Sequence, residues 1–165
     1  MPVPANLHII GEEQGIIEGS CEIVGREGSI LVQSIDHVVE LPSDSRGLVS
    51  GSRVHRPITI MKEIDKSTPM LYQALCTNEL LTELILNWYR VDETGTQELY
   101  FSMLMRNALI NRIRPWLPNT MDAASAAYRH MEEVSFIYEY IRWTWLPDGI
   151  EFEDSWNAGR EGLIP

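Results

Sequence analysis

One stretch, residues 51–76, limits what this chain can become more than any other. It carries the one convincing helix pattern in a sequence whose other apolar residues recur at strand spacing. Ile58, Ile60 and Lys62 alternate with Thr59, Met61 and Glu63, and the segment is rich in β-branched residues, so 58–64 is expected to be a strand. Pro57, which lacks an amide proton, suits a strand start or an edge. Ser67 or Thr68 can cap a helix, and Pro69 fits its first turn. Met70, Leu71, Ala74 and Leu75 then share one face, giving a helix over about 68–76. Two to three turns do not persist alone, so that face must lie on a sheet. The expected fold is mainly β: an antiparallel β-barrel or sandwich with this one short helix packed on a sheet.

The rest of the chain reads as strands and turns. Residues 5–10 and 14–18 read as a strand pair or a bent strand around Gly11 and Gly15. A long strand is expected over 30–41. Residues 42–52 hold four serines, two glycines and a proline, the composition of a long exposed loop. Strands follow at 84–91 and 97–106, joined by a turn over 92–96, and another at 108–113. Leu99, Phe101, Met103 and Met105 alternate as a core-facing stripe. Residues 115–132 read as loop. The longest strand is expected over 133–146, and its apolar side changes parity near Tyr140 and Ile141, which suggests a bulge or a strand buried on both faces. The acidic 147–165 segment reads as a mobile tail.

A length of 165 residues fits one domain spanning 1–165. The net charge of −11 argues against binding nucleic acid or an anionic membrane. No run approaches the ~18 apolar residues of a membrane-spanning helix, and the first residues do not form a secretory signal. By itself this places the chain in the cytoplasm. Cys21 and Cys76 have no metal-ligand spacing and read as reduced thiols. No phosphate loop, zinc helix or nucleophile elbow occurs, so no cofactor or metal is implied. Asp36 and His37 are strand neighbours whose side chains point to opposite faces and form no dyad; Glu132 and Glu133 are separated in the same way. His55 reads as a structural histidine bonded to nearby backbone rather than a catalytic one. Arg106, Arg112 and Arg114 near Trp116 make a basic-aromatic cluster suited to meeting a neighbour's carboxylate. Trp143, Trp145 and Trp156 suit either core or interface.

Several runs resemble one family in order along nearly the whole chain. They are Arg53-Val-His55-Arg-Pro57, the 62–75 segment, Asn87-Trp-Tyr-Arg90, the 100–110 segment, Glu133-Val-Ser-Phe-Ile-Tyr138, Ile141-Arg-Trp143 and Glu153-Asp-Ser-Trp156. These resemble the Hcp family, which forms the tube of the bacterial type VI secretion system. The chain departs from the family pattern at 115–132, where His130-Met131-Glu132 enter the next strand without the usual proline.

The resemblance implies a structural protein rather than an enzyme. Six copies would form a ring, and rings would stack into a hollow tube. A contractile sheath, a baseplate and a VgrG spike would be its partners, with small effectors in its lumen. Export would follow a cytoplasmic stage and need no signal peptide. By the same implication, the 42–52 loop with Ser43, Asp44, Arg46 and Ser50, and Arg53 beside it, would touch the next ring. Ser34 and Asp36 would line the lumen, and Arg106, Arg112, Arg114 and Trp116 would meet a neighbouring subunit. Residues alone leave two other classes open: a monomeric ligand-binding β-sandwich, and a hydrolase assembled from distant histidine and carboxylates.

Overall fold

The computed structural model describes residues 2–155. Twelve strands run β1 Ala5–Gly11, β2 Gly15–Ile17, β3 Ile30–Val32, β4 Ser34–Asp36, β5 Val39–Glu40, β6 Val54–His55, β7 Ile58–Glu63, β8 Leu81–Val91, β9 Gln97–Trp116, β10 Met131–Ile137, β11 Tyr140–Trp145 and β12 Ile150–Ser155. The helix α1, Thr68–Cys76, lies between β7 and β8. Among these residues no helix is long and apolar enough to cross a membrane.

All pairings are antiparallel. In one sheet β8 lies between β1 and the first half of β9 (Leu7↔Leu86, Leu84↔Met105), and β11 and β12 extend it (Ile141↔Met105, Trp143↔Phe152). The other sheet runs from the second half of β9 through β10 and β7 to β4 (Val134↔Ile113, Val134↔Ile60, Ile35↔Ile60). Besides the 138–139 link between β10 and β11, two segments stitch the sheets at their corners. One is β9, which serves both; the other is 30–36, whose β3 pairs with β1 while β4 pairs with β7. The result is a sandwich joined at two corners, not an evenly rolled barrel.

Alternation explains the core. Leu7, Ile9, Ile30, Ile58, Ile60, Leu84, Leu86, Met105, Val134 and Phe136 are all buried between the sheets. The helix rests on β9 through Leu71 and Ala74. Full burial of a side chain such as Leu71 contributes about 1.5–3 kcal/mol, which holds a helix too short to stand alone.

Helix capping differs in detail from expectation. Ser67 occupies the N-cap without a side-chain cap bond. Its hydroxyl and amide instead donate to Asp65 Oδ1, at 2.5 and 2.9 Å. Asn78 takes the left-handed conformation just past the helix (φ 55°), as asparagine tolerates. Glu79 follows, and its carboxylate accepts the Glu13 and Gln14 amides at 2.9 and 2.8 Å, pinning the helix end to the β1–β2 turn.

Four expectations change. The strand over 30–41 is three short strands, because the chain turns at Gln33 to leave one sheet for the other. The strands at 97–106 and 108–113 are one, with Asn107 (φ 51°) absorbed inside β9. The strand over 133–146 breaks at Tyr138 and Glu139, where the chain changes sheet, so the parity switch marks a crossing rather than a bulge. The supposed tail forms β12 as far as Ser155; Trp156 and 157–165 lie outside the described residues.

The 18–29 loop is held by Gly19. A Cβ there would lie 2.3 Å from the Ser29 carbonyl oxygen and 2.6 Å from Ile30 Cα, both backbone. Gly19→Ala is therefore expected to cost about 1–3 kcal/mol, read as a lower urea midpoint at unchanged slope.

Candidate assembly surface

The 42–52 loop is ordered by one side chain. Asp44 accepts the amides of Arg46 (2.9 Å) and Leu48 (3.0 Å) and the Arg46 guanidinium (3.3 Å). Those amides, Leu48's first, hold its carboxyl below the usual range. Ser43 bridges to Val49, and the Ser50 amide donates to the Pro42 carbonyl. The loop is thus a small hairpin that keeps Leu41, Leu48 and Val49 exposed.

Arg53 ends the loop but is not available to a partner through its whole fork. Its Nε bonds Asp154 Oδ2, and Nη2 bonds Asp154 Oδ1 at 2.6 Å and the Ser155 carbonyl at 3.2 Å. The Arg53 bond, aided by His55, brings Asp154 down to about 2. Behind Arg53, His55 is buried with Nδ1 2.8 Å from Tyr138 Oη and Nε2 2.8 Å from Asp154 Oδ2. His37 Nε2 reaches the same hydroxyl at 2.7 Å. Burial first, then the Asp154 charge, pushes the Tyr138 phenol well above its ordinary value. The Trp143 ring stacks between His55 (6.3 Å) and Phe152 (6.2 Å). The reading of His55 as structural therefore fits, but its partners are side chains from distant strands, not local backbone. A histidine–carboxylate pair resembles the orienting half of a hydrolytic site. Here both ring nitrogens are occupied and the ring is 4% exposed, which leaves neither nitrogen facing a substrate.

Ser34 and Asp36 are exposed on β4, the edge of its sheet, while Ile35 between them turns toward Ile60. The arginines do not form one patch. Arg114 binds Glu133 through two bonds of 3.1 Å, and Arg112 lies 3.6 Å from the same carboxylate. Glu133 is held below its usual range, chiefly by the Arg114 bond. Arg106 sits about 20 Å along β9 from Arg112 at ~3.3 Å per residue, over the Tyr140 ring. Trp116 packs edge-on to Tyr128. The carboxylate expected from a neighbour is, for Arg112 and Arg114, within the chain. Near Trp116 the 117–130 segment, where the sequence departs from the family pattern, overhangs an open groove of about 730 Å³ lined by Ile64, Leu117, Met121 and Tyr128.

A family model described as "Type VI secretion system effector, Hcp" matches residues 7–145. The chain belongs to the Hcp family. It is 35% identical to the "Major exported protein" of Pseudomonas aeruginosa, across 96% of this chain and 98% of that one. A crystal structure of an Hcp protein superposes with a TM-score of 0.87 at 29% identity, covering 93% of this chain and 97% of the other. The Hcp1 protein of Escherichia coli EAEC 042 superposes at 0.83 with 31% identity, covering 93% and 99%. This Hcp chain therefore shares the two-sheet fold as well as the sequence. The missed feature is the His37–Tyr138–His55–Asp154 cluster; its one sequence signal is two polar rings flanking a loop whose roots must meet.

Proposed function

We propose that six copies of this Hcp chain close into a ring, that rings stack into a hollow tube, and that the tube is driven out by a contracting sheath. Its activity is its shape, not turnover. The observation that carries the reading is β12. This strand pairs only with β11 among the described residues, and Ile150 and Phe152 stand 64% and 68% exposed on it. An unpaired apolar edge invites a second chain. A ring needs such a head-to-tail contact, with one surface meeting a different one. The Asp44-braced loop, with Leu48 and Val49 at its tip, is the contact to the next ring; Arg46, Ser43 and Ser50 flank it. Ser34 and Asp36 face the lumen and its small effectors. Arg106 and Trp116, less engaged by carboxylates than Arg112 and Arg114, serve the neighbour. The VgrG spike and baseplate are the remaining partners, and the chain passes from cytoplasm to exterior on firing.

Native mass spectrometry tests this. A species near 113 kDa, six times 18.9 kDa, is expected; a lone monomer at every attainable concentration overturns it. Six copies bring together a formal charge of −66, six times −11. Charges at that spacing are screened over ~10 Å at 0.1 M salt. Ring and stack populations are therefore expected to rise with salt in sedimentation velocity, and dissociation by salt would contradict the charge argument.

A further inference from the structure

The two roots of the 42–53 loop meet at a single hydroxyl. His37 lies just before β5 and His55 closes β6, which pair through Val39↔His55. Both rings bond Tyr138 Oη, in the two-residue link where the chain crosses from β10 to β11. Beyond His55, Asp154 on β12 holds Nε2 and is itself held by Arg53. Asp36 stands next to His37, and the Glu40–Arg56 ion pair lines the same cleft.

Proton counting gives this arrangement a property that no single contact has. With both histidines neutral, His55 Nε2–H donates to Asp154, Tyr138 O–H donates to His55 Nδ1, and His37 Nε2–H donates to Tyr138 Oη. All three hydrogens shared between these groups have an acceptor. With one proton added to His55, its Nδ1–H donates to Tyr138; His37 moves its hydrogen from Nε2 to Nδ1 by exchange with water, and its bare Nε2 accepts the Tyr138 hydrogen. The three hydrogens shared between these groups again each have an acceptor. With two protons, both rings aim N–H groups at the phenol oxygen. Its hydrogen then has no acceptor within the cluster, and two cations share one buried oxygen.

We propose that the His37–Tyr138–His55–Asp154 chain is a proton-counting latch, closed with zero or one proton on its histidines and opened by the second, freeing the loop roots and β12. Burial, then the neighbouring His55, holds His37 below its ordinary 6.5 against the opposing pull of Asp36. For such a group the unfolded or opened form binds more protons. The stabilisation is thus complete above 6.5 and is lost as pH falls through the lower value in the closed form. His8 on β1 is also lowered by burial, so global unfolding mixes two histidines and the latch must be read locally.

The latch rests on these distances; only its bearing on stacking rests on the assembly reading. Hydrogen exchange by peptide mass spectrometry reads it whether or not rings form. After correction for intrinsic exchange chemistry, opening of 37–56 and 150–155 is expected to rise about tenfold per pH unit once the first proton is bound, with β8 and β9 unchanged. His37→Gln keeps a donor for Tyr138 but takes no charge, and is expected to flatten that response. Tyr138→Phe is expected to loosen both loop roots at neutral pH. A flat profile in the unaltered protein, or an undiminished response in His37→Gln, overturns the latch. If either variant misfolds, the imidazole ¹⁵N spectrum of the unaltered protein decides. Protons on Nε2 of both neutral rings support the latch, and a neutral His55 protonated on Nδ1 overturns it.

Discussion

Replacing Lys62 with methionine is expected to destabilise this protein by about 3–5 kcal/mol, the cost of stranding one member of a buried ion pair. Lys62 and Glu132 both have fully buried side chains, with Nζ 2.5 Å from Oε1 across the β7–β10 pairing. Nζ also bonds the Glu63 carbonyl at 2.8 Å and pairs with Asp65 at 3.0 Å. Methionine matches the lysine stem but leaves the Glu132 carboxylate with only the Thr68 hydroxyl, at 2.7 Å. Glu132 Oε2 has no partner among the described residues even in the unaltered chain. The pair therefore offsets its desolvation incompletely, and Lys62→Met combined with Glu132→Leu is expected to recover most of the loss. Urea unfolding of the two single variants and the double variant, at one protein concentration, gives the cycle. Equal midpoints for Lys62→Met and the unaltered protein would contradict it.

That pair also shows where sequence reading stops. The alternation of Ile58, Ile60 and Lys62 was legible, and it put a charged residue on the buried face. Such a misplaced charge signals a buried partner but not which one, because Glu132 is 70 residues away. The helix and the 92–96 turn were readable because their signals are local: proline, capping groups and glycine act within a few residues. The breaks at Gln33 and at Tyr138–Glu139 were not. There the chain keeps its strand composition and changes sheets, and only long-range pairing fixes where. β12 was hidden by its charge: Glu151 and Glu153 interrupt Ile150 and Phe152, which pair across from Trp145 and Trp143 yet stay largely exposed. The family resemblance pointed correctly to the fold. It gave no hint that Arg53 is tied to Asp154, or that two histidines share one phenol.

Phe136→Ala is expected to be as damaging as the lysine variant, at about 3–5 kcal/mol, while Ile137→Ala one residue later costs roughly 0.5 kcal/mol or less. Phe136 is 1% exposed and faces Ile58 and Ile110 across its two neighbouring strands; Ile137 is 42% exposed. Adjacent strand residues point to opposite faces, so the contrast tests whether β10 packs in this register. Similar costs at both positions would refute it. The contrast bears on the proposed ring as well, because closing it would demand the same rotation at every subunit, and β10 leads directly into the Tyr138 crossing between sheets. A cavity beside that crossing loosens the angle between the two faces. Phe136→Ala is therefore expected to lose ring formation in parallel with stability, with Ile137→Ala keeping both, as native mass and urea midpoints measured on the same samples would reveal.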